Sequence, residues 1–571
     1  MASTSQRLSA REKEILSEGR KLFDLFRERN KAYKDEVYLA RQAAEMRDPE
    51  QVDIPQLHTL RSTLVNCVAD QMDNLSEAVI TPERPNMQEK AEQLTDLVQY
   101  VWEVNNFSRT SRERYEDSFI AGTSALQYVW DPDASYGKGE IAVILCPVES
   151  LEWDYLASHI QRGRAVFKKN WYPRSYYQQH WPDEEKYIGS GAWSRREVER
   201  GVPYSAGDDD EEIMLLEYWY RLYDKKTRRY RIHVAYIAGD ALLYASEIKK
   251  PDGLYMHGLY PFVLDVHTRV LNKAHGRGMV IEMLPMQRAI NRYAMYVDEN
   301  ARINTKQRML YTEQSGINVE DLQDLNKQLV MGDTIGENHI RWFPELKLPS
   351  SVQGQMFSFV DMMKQDSGQS AFNRGEYGGG ITAAAAINPL IEMGNKTSRF
   401  RTEVFKEGLK EGVEQILWLI KQFYKKDRVV SIVGDSGAYK EITVDGMFDK
   451  SDLMPYAVRI QIQRKNPMRV QAENNLIMQL FNAAAQQDQS LDVELMIKLL
   501  QVDGKDRFLA AIREIKAQQE QSALVQLEGM AQENQMMAQQ MGQLKNMMAQ
   551  QAASLTDTQS EAAAFVGAEA V

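Results

Sequence analysis

The sequence predicts an α+β protein that is mainly helical and is divided into several domains. Two patterns predict this class: long stretches carry apolar residues at helical spacing, and shorter ones alternate apolar and polar residues as strands do. The strands cluster between helical stretches, unlike the repeated βαβ order of a nucleotide-binding sheet. With 571 residues, 43% of them hydrophobic, the chain can also bury more than one core.

The N-terminal half predicts a helical layer followed by strands. The predicted helices are one or two between Ser9 and Arg47, one from Leu57 to Met72 in a segment that Pro82 to Pro85 stops, and two more at Gln88 to Trp102 and Ser108 to Phe119. The predicted strands are Ala125 to Pro132, Ile141 to Cys146, Ala165 to Trp171, Ile213 to Tyr223 and Tyr230 to Ala238, with alternation continuing through Ala241 to Tyr244. The first two strands are expected to form a hairpin that turns at Ser135 to Gly139.

The middle of the chain predicts a small module carried by two helices. One helix begins at Gly278, with Pro285 in its first turns, where proline is tolerated. The second covers Val352 to Lys364, and a short αβ module, roughly Gln307 to Leu348, lies between them. Two helices that lead out and back with a cap at their tip are suited to protrude from a larger body.

The segment from Phe372 to Lys425 predicts a flexible loop followed by a long helix. Asn373 to Gly380 is rich in glycine, and apolar spacing then continues with a break expected at Gly408 and Gly412. A helix from Thr382 to Lys425 would measure roughly 65 Å, with a bend or a late start at Pro389. Its polar side mixes acids with bases, which is typical of a solvated face.

The C-terminal part predicts strands, short helices and then a helix that needs partners. The strands Arg428 to Val433, Tyr439 to Val444 and Tyr456 to Gln463 are expected to return to the earlier sheet, and three short helices follow between Met468 and Ile515. Next, residues three and four apart form a coiled-coil seam, namely Leu527, Met530, Asn534, Met537, Met541, Leu544 and Met548. A lone surface helix or a disordered glutamine-rich tail is the alternative.

Composition and motifs argue against several classes of function. A net charge of -12 argues against a surface that grips nucleic acid throughout, and the apolar runs are too short to cross a membrane. Cys67 and Cys146 lie in apolar contexts and predict free thiols. The sequence has no phosphate-binding Gly-x4-Gly-Lys-Ser/Thr motif, no metal-ligand spacing and no nucleophile motif. We therefore expect no enzymatic activity, no cofactor and no metal site.

The order of these features resembles the portal proteins of tailed bacteriophages, which connect head and tail. The resemblance covers roughly Gln51 to Lys516. It depends on four features. The first is the strand from Ala121-Gly122-Thr123 to Trp130-Asp131-Pro132, which follows a helical layer, and the second is Tyr260-Pro261-Phe262-Val263 followed by Leu284-Pro285-Met286-Gln287-Arg288-Ala289-Ile290-Asn291. The third is the module between two helices, and the fourth is the glycine-rich loop before Ala383 to Arg401. Each motif is weak by itself, and their order makes the match.

The resemblance implies a ring, typically of twelve subunits, at one vertex of the capsid. It implies a wing at 1–277, a stem helix at 278–303, a clip at 304–349, a second stem helix at 350–368, a tunnel loop and long tunnel helix at 369–427, wing strands at 428–467, a crown at 468–516, a coiled-coil or barrel helix at 517–555 and a disordered tail at 556–571. The implied partners are further copies of the chain, double-stranded DNA in transit, the large terminase, the head-to-tail adaptor and the major capsid protein or scaffold.

The resemblance also implies where function would reside. Candidate channel residues are Arg374, Glu376 and Tyr377 on the glycine-rich loop, and Lys396, Arg399 and Arg401 on the helix. For each of these, a salt bridge between subunits is an equal alternative. Trp342 and Phe343 are candidate docking residues for the terminase and adaptor, with core packing of the module as the competing role. Two other hypotheses are a coiled-coil assembly or scaffold protein of a virion that is not a portal, and a nucleic-acid-processing enzyme.

Overall fold

The computed structural model describes most of the chain up to residue 464 and parts of the rest. The described residues are 6, 8–48, 54–84, 87–189, 212–305, 309–323, 331–333, 340–342, 344–345, 347–368, 396–424, 428–433, 439–443, 447–448, 454–464, 474–479, 496, 500, 511–512, 515–516 and 532–552. The chain divides into two compact units, Met1–Val430 with Ile442–Lys465, and Ser431–Glu441 with Asn466–Val571.

The helices agree with most of the predicted helical stretches. They are α1 (Ala10–Ala44), α2 (Thr59–Met72), α3 (Gln88–Val104), α4 (Phe107–Ala121), α5 (Arg174–His180), α6 (Ser246–Lys249), α7 (Met279–Thr305), α8 (Val319–Gln323), α9 (Ser350–Asp366) and α10 (Lys396–Phe423). In the second unit, residues 474–479 and 532–552 are also helical.

The strands form small antiparallel sheets. They are β1 (Asn74–Pro82), β2 (Thr123–Asp131), β3 (Glu140–Cys146), β4 (Leu151–Trp153), β5 (Ala165–Pro173), β6 (Glu212–Asp224), β7 (Arg229–Ala238), β8 (Ala241–Ala245), β9 (Phe262–Val266), β10 (Thr268–Arg269), β11 (Gly276–Arg277), β12 (Met309–Tyr311), β13 (Ile340–Trp342), β14 (Val429–Val433), β15 (Tyr439–Thr443) and β16 (Tyr456–Arg464). The sheet orders are β3-β2-β9, β4-β5-β6-β7-β8, and the pairs β1-β16, β10-β11, β12-β13 and β14-β15.

Helix α1 has an N-terminal capping box in its own sequence and packs against the five-stranded sheet. The Ser9 side chain accepts from the Glu12 amide and Glu12 bonds back to Ser9, which satisfies two amides that the helix itself cannot. Phe23 and Phe26 are fully buried and pack edge-on against Phe167 of β5, with ring centroids 5.6 and 5.8 Å apart. The structure thus contains one continuous helix where the sequence allowed one or two.

A second core lies where the helices α1, α2, α4, α7, α9 and α10 meet. Its buried members include Leu64, Phe119, Val280, Ile290 and Phe405. Cys67 belongs to this core and Cys146 lies at the end of β3. Both are buried, and they form no disulfide with each other, as predicted. This core holds the inner ends of the two module-bearing helices against the long helix.

Three sequence predictions about local structure were wrong. After α2, residues 74–82 form strand β1, which sequence analysis missed. Strand β16 pairs with β1 along its length and does not join the earlier sheet, and β14 pairs with β15. Helix α10 is continuous through Gly408 and Gly412, where a break was expected. The predicted loop and Pro389 lie outside the described residues.

The described helices give no sign of a membrane span: none combines sufficient length with the apolar character that a bilayer crossing requires.

Candidate functional site

Helix α7 is anchored at its inner end by a buried polar network with the start of α2. Gln287 and Asn291 lie one turn apart on α7. Their side-chain oxygens accept hydrogen bonds from the amides of Leu60 (2.8 Å) and Leu57 (3.1 Å), at and just before the start of α2. Gln287 Nε2 also donates to the Leu57 carbonyl and to Asn291 Oδ1, each at 2.7 Å. The network satisfies a first-turn amide that α2 leaves without a helical partner.

An ion pair reinforces the same anchor. The Arg288 guanidinium binds both carboxylate oxygens of Asp48, with distances of 2.7 and 2.9 Å. Two parallel bonds of this kind fix orientation as well as distance. Gln287, Arg288 and Asn291 belong to a motif that supports the resemblance to portal proteins, but the sequence assigned them no role. Their role as an anchor is seen only from their contacts with α2 and Asp48.

The outer halves of α7 and α9, residues 292–305 and 350–362, form a projecting pair. Tyr293 stacks on Phe359 with ring centroids 6.0 Å apart, but no residue of either outer half is buried among the described residues. Four large apolar side chains on the pair are exposed: Tyr296, Ile303, Phe357 (61%) and Met362. Large apolar side chains left exposed on two paired helices favour a surface that binds other molecules.

The long helix α10 packs against the three-stranded sheet, and two glycines and a buried ion pair allow the close contact. Arg114 of α4 binds Asp265 of β9 through Nε and through Nη2, which lies 2.6 Å from Oδ1, and Nη2 also donates to the Phe405 carbonyl at 2.9 Å. Both charged residues are 1% exposed. A Cβ at Gly408 would overlap Asp265 Oδ1, and one at Gly412 would overlap the Tyr128 hydroxyl. The glycines therefore allow close packing and do not end the helix.

The C-terminal end of α10 is held by amide contacts and an aromatic stack. Gln415 Nε2 donates to the Tyr260 carbonyl at 3.2 Å, and Gln422 bonds the backbone at Leu254 and Met256. Phe423 lies parallel to Trp130, with ring centroids 5.0 Å apart. These contacts hold the C-terminal end of α10 against the segment 254–260 and strand β2.

Arg401 lies in the core and not on a DNA-facing surface, which corrects the prediction for this residue. It is 7% exposed, and Nη1 donates to the Ser367 carbonyl at 2.9 Å and lies 3.4 Å from Cys67 Sγ. Its guanidinium carbon lies 5.3 Å from the centre of the Phe119 ring. Arg401 therefore caps the end of α9 and ties it to α10, as cations near helix C-termini do.

The other predicted channel residues differ in where they lie. Lys396 is exposed and Arg399 half-buried in the first turn of α10. Farther along, Lys406 pairs with Glu403 at 2.8 Å within the same helix, which fits the mixed-charge face expected from the sequence. Arg374, Glu376 and Tyr377 lie outside the described residues.

The predicted docking and seam residues are described only in part. The backbone of Trp342 lies in β13, paired with Met309, whereas Phe343 lies outside the described residues. Asn534, Met537, Met541, Leu544 and Met548 lie on the helix at 532–552 and are exposed, and Leu527 and Met530 are not described. A helix with so many exposed apolar side chains needs another surface to cover them.

The structure offers little chemistry. Among the residues that it describes, no group of three or more histidine, cysteine, aspartate or glutamate side chains could hold a metal ion. A cavity of about 1200 Å³ lies between α1 and the strands β3 and β5. Some of the charged side chains that line it pair with each other, as Lys169 does with Glu152 at 3.4 Å.

A buried histidine beside the end of α10 makes stability depend on pH. Nδ1 of His257 accepts from the Leu259 amide at 3.0 Å, and Nε2 is buried with no hydrogen-bond partner among the described residues. Burial lowers the pKa of His257 to about 3. Because the unfolded chain binds a proton near pH 6.5 and the folded chain does not, stability is retained above that pH and is lost as pH falls below it.

We expect His257 to lower the free energy of unfolding by about 2 kcal/mol between pH 7 and pH 5. His257→Asn keeps an acceptor for the Leu259 amide and removes the titration, so its unfolding free energy should fall less over this range. Urea unfolding of both proteins at each pH measures the difference. Equal pH slopes for the two would contradict the assignment.

The comparison with known proteins gives one family. A search of curated proteins finds no match. The family described as phage P22-like portal protein matches residues 57–564, which include the anchored helix pair, the long helix and the C-terminal helix. Because the match covers most of the chain, this protein belongs to the P22-like phage portal protein family.

Proposed function

We propose that this portal protein forms a closed ring of twelve copies at one vertex of the capsid and serves as the conduit for double-stranded DNA during packaging and ejection. In this role it is a structural component of the virion and has no enzymatic activity. The observation that carries the proposal, beside the family, is the projecting pair with its exposed apolar side chains. Two helices alone bury too little surface to be stable, so neighbouring copies would complete the packing.

The C-terminal helix supports assembly in the same way. Its exposed methionines and Leu544 lie three and four residues apart, as the seam of a multi-helix bundle requires. Methionine side chains adapt to irregular gaps, which suits a seam shared by many copies. The same helix also favours the second candidate, a coiled-coil assembly or scaffold protein, in which this seam would be the main interface.

The mass and shape of the purified protein test the proposal. Native mass spectrometry should give a multiple of the 65.6 kDa subunit, with twelve expected, and negative-stain images should show rings with a central hole. Rods or fibres would favour the coiled-coil scaffold, and a stable monomer at all concentrations would contradict the ring.

The net negative charge of the chain fits a channel that lets DNA pass without binding it tightly. Twelve copies with a net charge of -12 would carry about -144, and a negative lining repels phosphate. A few cations on each copy, with Arg374 and Lys396 as candidates, would then provide weak contacts that move along the backbone. Glu376, Tyr377 and Arg399 remain candidates for the same surface.

Deletion of residues 375–380 should separate assembly from DNA handling. We expect rings of normal mass, because the described contacts that anchor α7, α9 and α10 are made by residues outside 375–380, together with strongly reduced packaging or retention of DNA. Native mass spectrometry and nuclease protection of packaged DNA measure the two effects. Loss of rings would contradict the assigned role, and normal packaging would show that the loop is dispensable.

The module between α7 and α9 is the proposed docking site for the large terminase and, later, for the head-to-tail adaptor. It lies at the outer end of the projecting pair, and Trp342 and Phe343 are aromatic residues of the kind that carry binding energy at interfaces. The major capsid protein or scaffold would contact other surfaces of the ring.

A further inference from the structure

Strands β6 and β7 continue as a two-stranded ribbon beyond the rest of the five-stranded sheet. Strand β5 pairs with β6 only as far as Tyr220, and β8 pairs with β7 only from Ala235 onward. Beyond these points β6 and β7 pair with each other up to Asp224 and Arg229, and residues 225–228 form the turn that connects them. The turn therefore lies at the end of an extension of the sheet.

The end of this ribbon, residues 221–231, is strongly basic, and we call it the basic tip. It has six cationic side chains and one acid, in a chain whose net charge is -12. Lys225, Lys226, Arg228 and Arg229 are exposed. Among the described residues, Lys225, Lys226 and Arg228 have no carboxylate within ion-pair distance. The tip is thus a local positive charge on a negatively charged protein.

The acid within the basic tip is already bonded inside the turn. Asp224 Oδ1 accepts a hydrogen bond from the Lys226 amide at 2.9 Å. Its Oδ2 accepts from the Thr227 hydroxyl at 2.8 Å and from Arg231 Nη2 at 2.6 Å. An aspartate that bonds the backbone two residues on is a common way of ordering a turn. The exposed cations are therefore carried by a defined turn.

Two tyrosines flank the exposed cations. Tyr223 and Tyr230 lie opposite each other on the ribbon, with ring centroids 5.3 Å apart, and each is about half exposed. The guanidinium carbon of Arg221 lies 5.0 Å from the centre of the Tyr230 ring. A phenol hydroxyl can donate to a phosphate oxygen, and tyrosine is among the residues that contact DNA phosphates.

Composition and spacing favour a nucleic acid over a protein as the partner of the basic tip. Lysine is depleted at interfaces between proteins, and the centres of such interfaces are apolar. The exposed residues 225–229 include no apolar side chain. They span at most about 17 Å of chain, whereas duplex DNA carries one phosphate per strand every ~3.4 Å along its axis. The tip can therefore reach several phosphates of one duplex at once.

The basic tip is separate from the channel candidates on α10. The Leu254 amide donates to the carbonyl of Ile232 in β7 at 2.8 Å, and the Leu254 carbonyl accepts from Gln422 at 3.0 Å. The ribbon thus lies beside the C-terminal end of α10, whereas Lys396 and Arg399 are in its first turn. From Lys396 to Gln422 the helix rises by roughly 39 Å.

We propose that the basic tip binds the phosphate backbone of duplex DNA, as a second surface apart from the channel candidates. This inference rests on the proposed function, which makes duplex DNA the partner of the ring. Because contacts from lysine and arginine to phosphate do not read bases, binding is independent of sequence and weakens as salt concentration rises. Each copy in a ring would present one tip, so that one duplex could touch the tips of several copies.

Neutralising three cations of the turn tests the proposal. The variant is Lys225→Gln/Lys226→Gln/Arg228→Gln in the full-length chain, and fluorescence anisotropy with a labelled duplex of mixed sequence measures binding at several salt concentrations. We expect the affinity to fall by roughly tenfold or more, and the slope of log K against log salt to become shallower by about 3 for each copy that the duplex touches. The melting temperature should not change, because these side chains are exposed.

A matched control removes the same charge from another surface. Lys13→Gln/Lys21→Gln/Lys31→Gln neutralises three exposed lysines of α1. Its affinity and salt slope should stay close to those of the unsubstituted chain. Lys225→Arg/Lys226→Arg keeps both charges of the turn and should also bind normally.

Three results would overturn the proposal. Equal binding by the tip variant and the α1 control would show that the tip is not a DNA surface. If polyglutamate competes for the tip as well as a duplex of equal charge does, the partner is an acidic protein segment. If the tip variant binds DNA normally but forms fewer rings, the tip is a contact between copies. Failure of the proposed function is distinguishable, because it is seen as the absence of rings in the unsubstituted chain, however the tip variant binds.

A photo-crosslinker locates the bound duplex should the triple variant misfold. Placed at Lys226, it should attach to the labelled duplex, whereas the same group at Lys21 should not. No cross-link at Lys226, or equal cross-linking at both positions, would overturn the assignment of the tip.

Discussion

Replacing Gly408 by alanine should lower the free energy of unfolding by about 3 kcal/mol, although alanine is the better helix former. The new methyl group would overlap Asp265 Oδ1 and lie 3.4 Å from Arg114 Nη2. Helix α10 would have to move away from the sheet, or the buried ion pair would have to open, and either change costs more than the helical preference returns. Urea unfolding of the unassembled protein measures the loss.

Gly354 provides the matched control for this prediction. It also lies within a helix, α9, but apart from its own helical turn no described atom is within 4 Å of the position that a Cβ would take. The same substitution there should stabilise the protein by about 0.5–1 kcal/mol, because alanine restricts the unfolded chain and favours the helix. Opposite signs for the two glycines are the expected result. A neutral or stabilising Gly408→Ala would show that the close approach to Asp265 is not required.

Arg114→Met should destabilise the protein by about 3–5 kcal/mol, the second large effect. Methionine fills much of the same volume but leaves the Asp265 carboxylate buried. Among the described residues, the Ser124 hydroxyl, 3.0 Å away, is then its remaining side-chain donor. The Phe405 carbonyl also loses a donor. Arg114→Lys should recover only part of the loss, because an ammonium group cannot form two parallel bonds to Asp265.

A double-mutant cycle separates the ion pair from simple loss of packing. The double variant Arg114→Met/Asp265→Leu has no buried charge, so it should be more stable than Arg114→Met alone and much more stable than the sum of the two single losses predicts. Thermal and urea unfolding of the four proteins complete the cycle. Additive losses would mean that Arg114 and Asp265 act independently, in conflict with their bonded geometry.

Much of the fold could be predicted from the sequence because the relevant signals are local. The apolar spacing in α2, α7 and α9 and the alternation in β2, β3, β6 and β7 each depend on residues a few positions apart, and the predicted hairpin of β2 and β3 has its expected turn. The missed strand β1 shows the limit. Its identity as a strand depends on pairing with β16, more than 370 positions away, and on the hydrogen bond that the Ile80 amide donates to Thr95 Oγ1.

The residues of the candidate site were predicted less well, because their surroundings depend on contacts between distant parts of the chain. Arg401 carries a charge in a helical stretch of mixed charges, so its sequence context indicates a surface residue. Only packing against Ser367, Cys67 and Phe119 places it in the core. Gly408 and Gly412 likewise read as helix breakers until Asp265 and Tyr128 are found in the space where their side chains would be.

The sequence by itself determined the fold class, the order of the elements, the resemblance to portal proteins and the apolar seam near the C-terminus, because periodicity and composition are properties of short stretches. Tertiary structure alone decided the role of Arg401, the need for Gly408, the pairing of Arg114 with Asp265 and the pairing of β1 with β16. Each of these depends on groups that are distant in the chain and meet only when the protein is folded, where exclusion of water and overlap of atoms give them their energies.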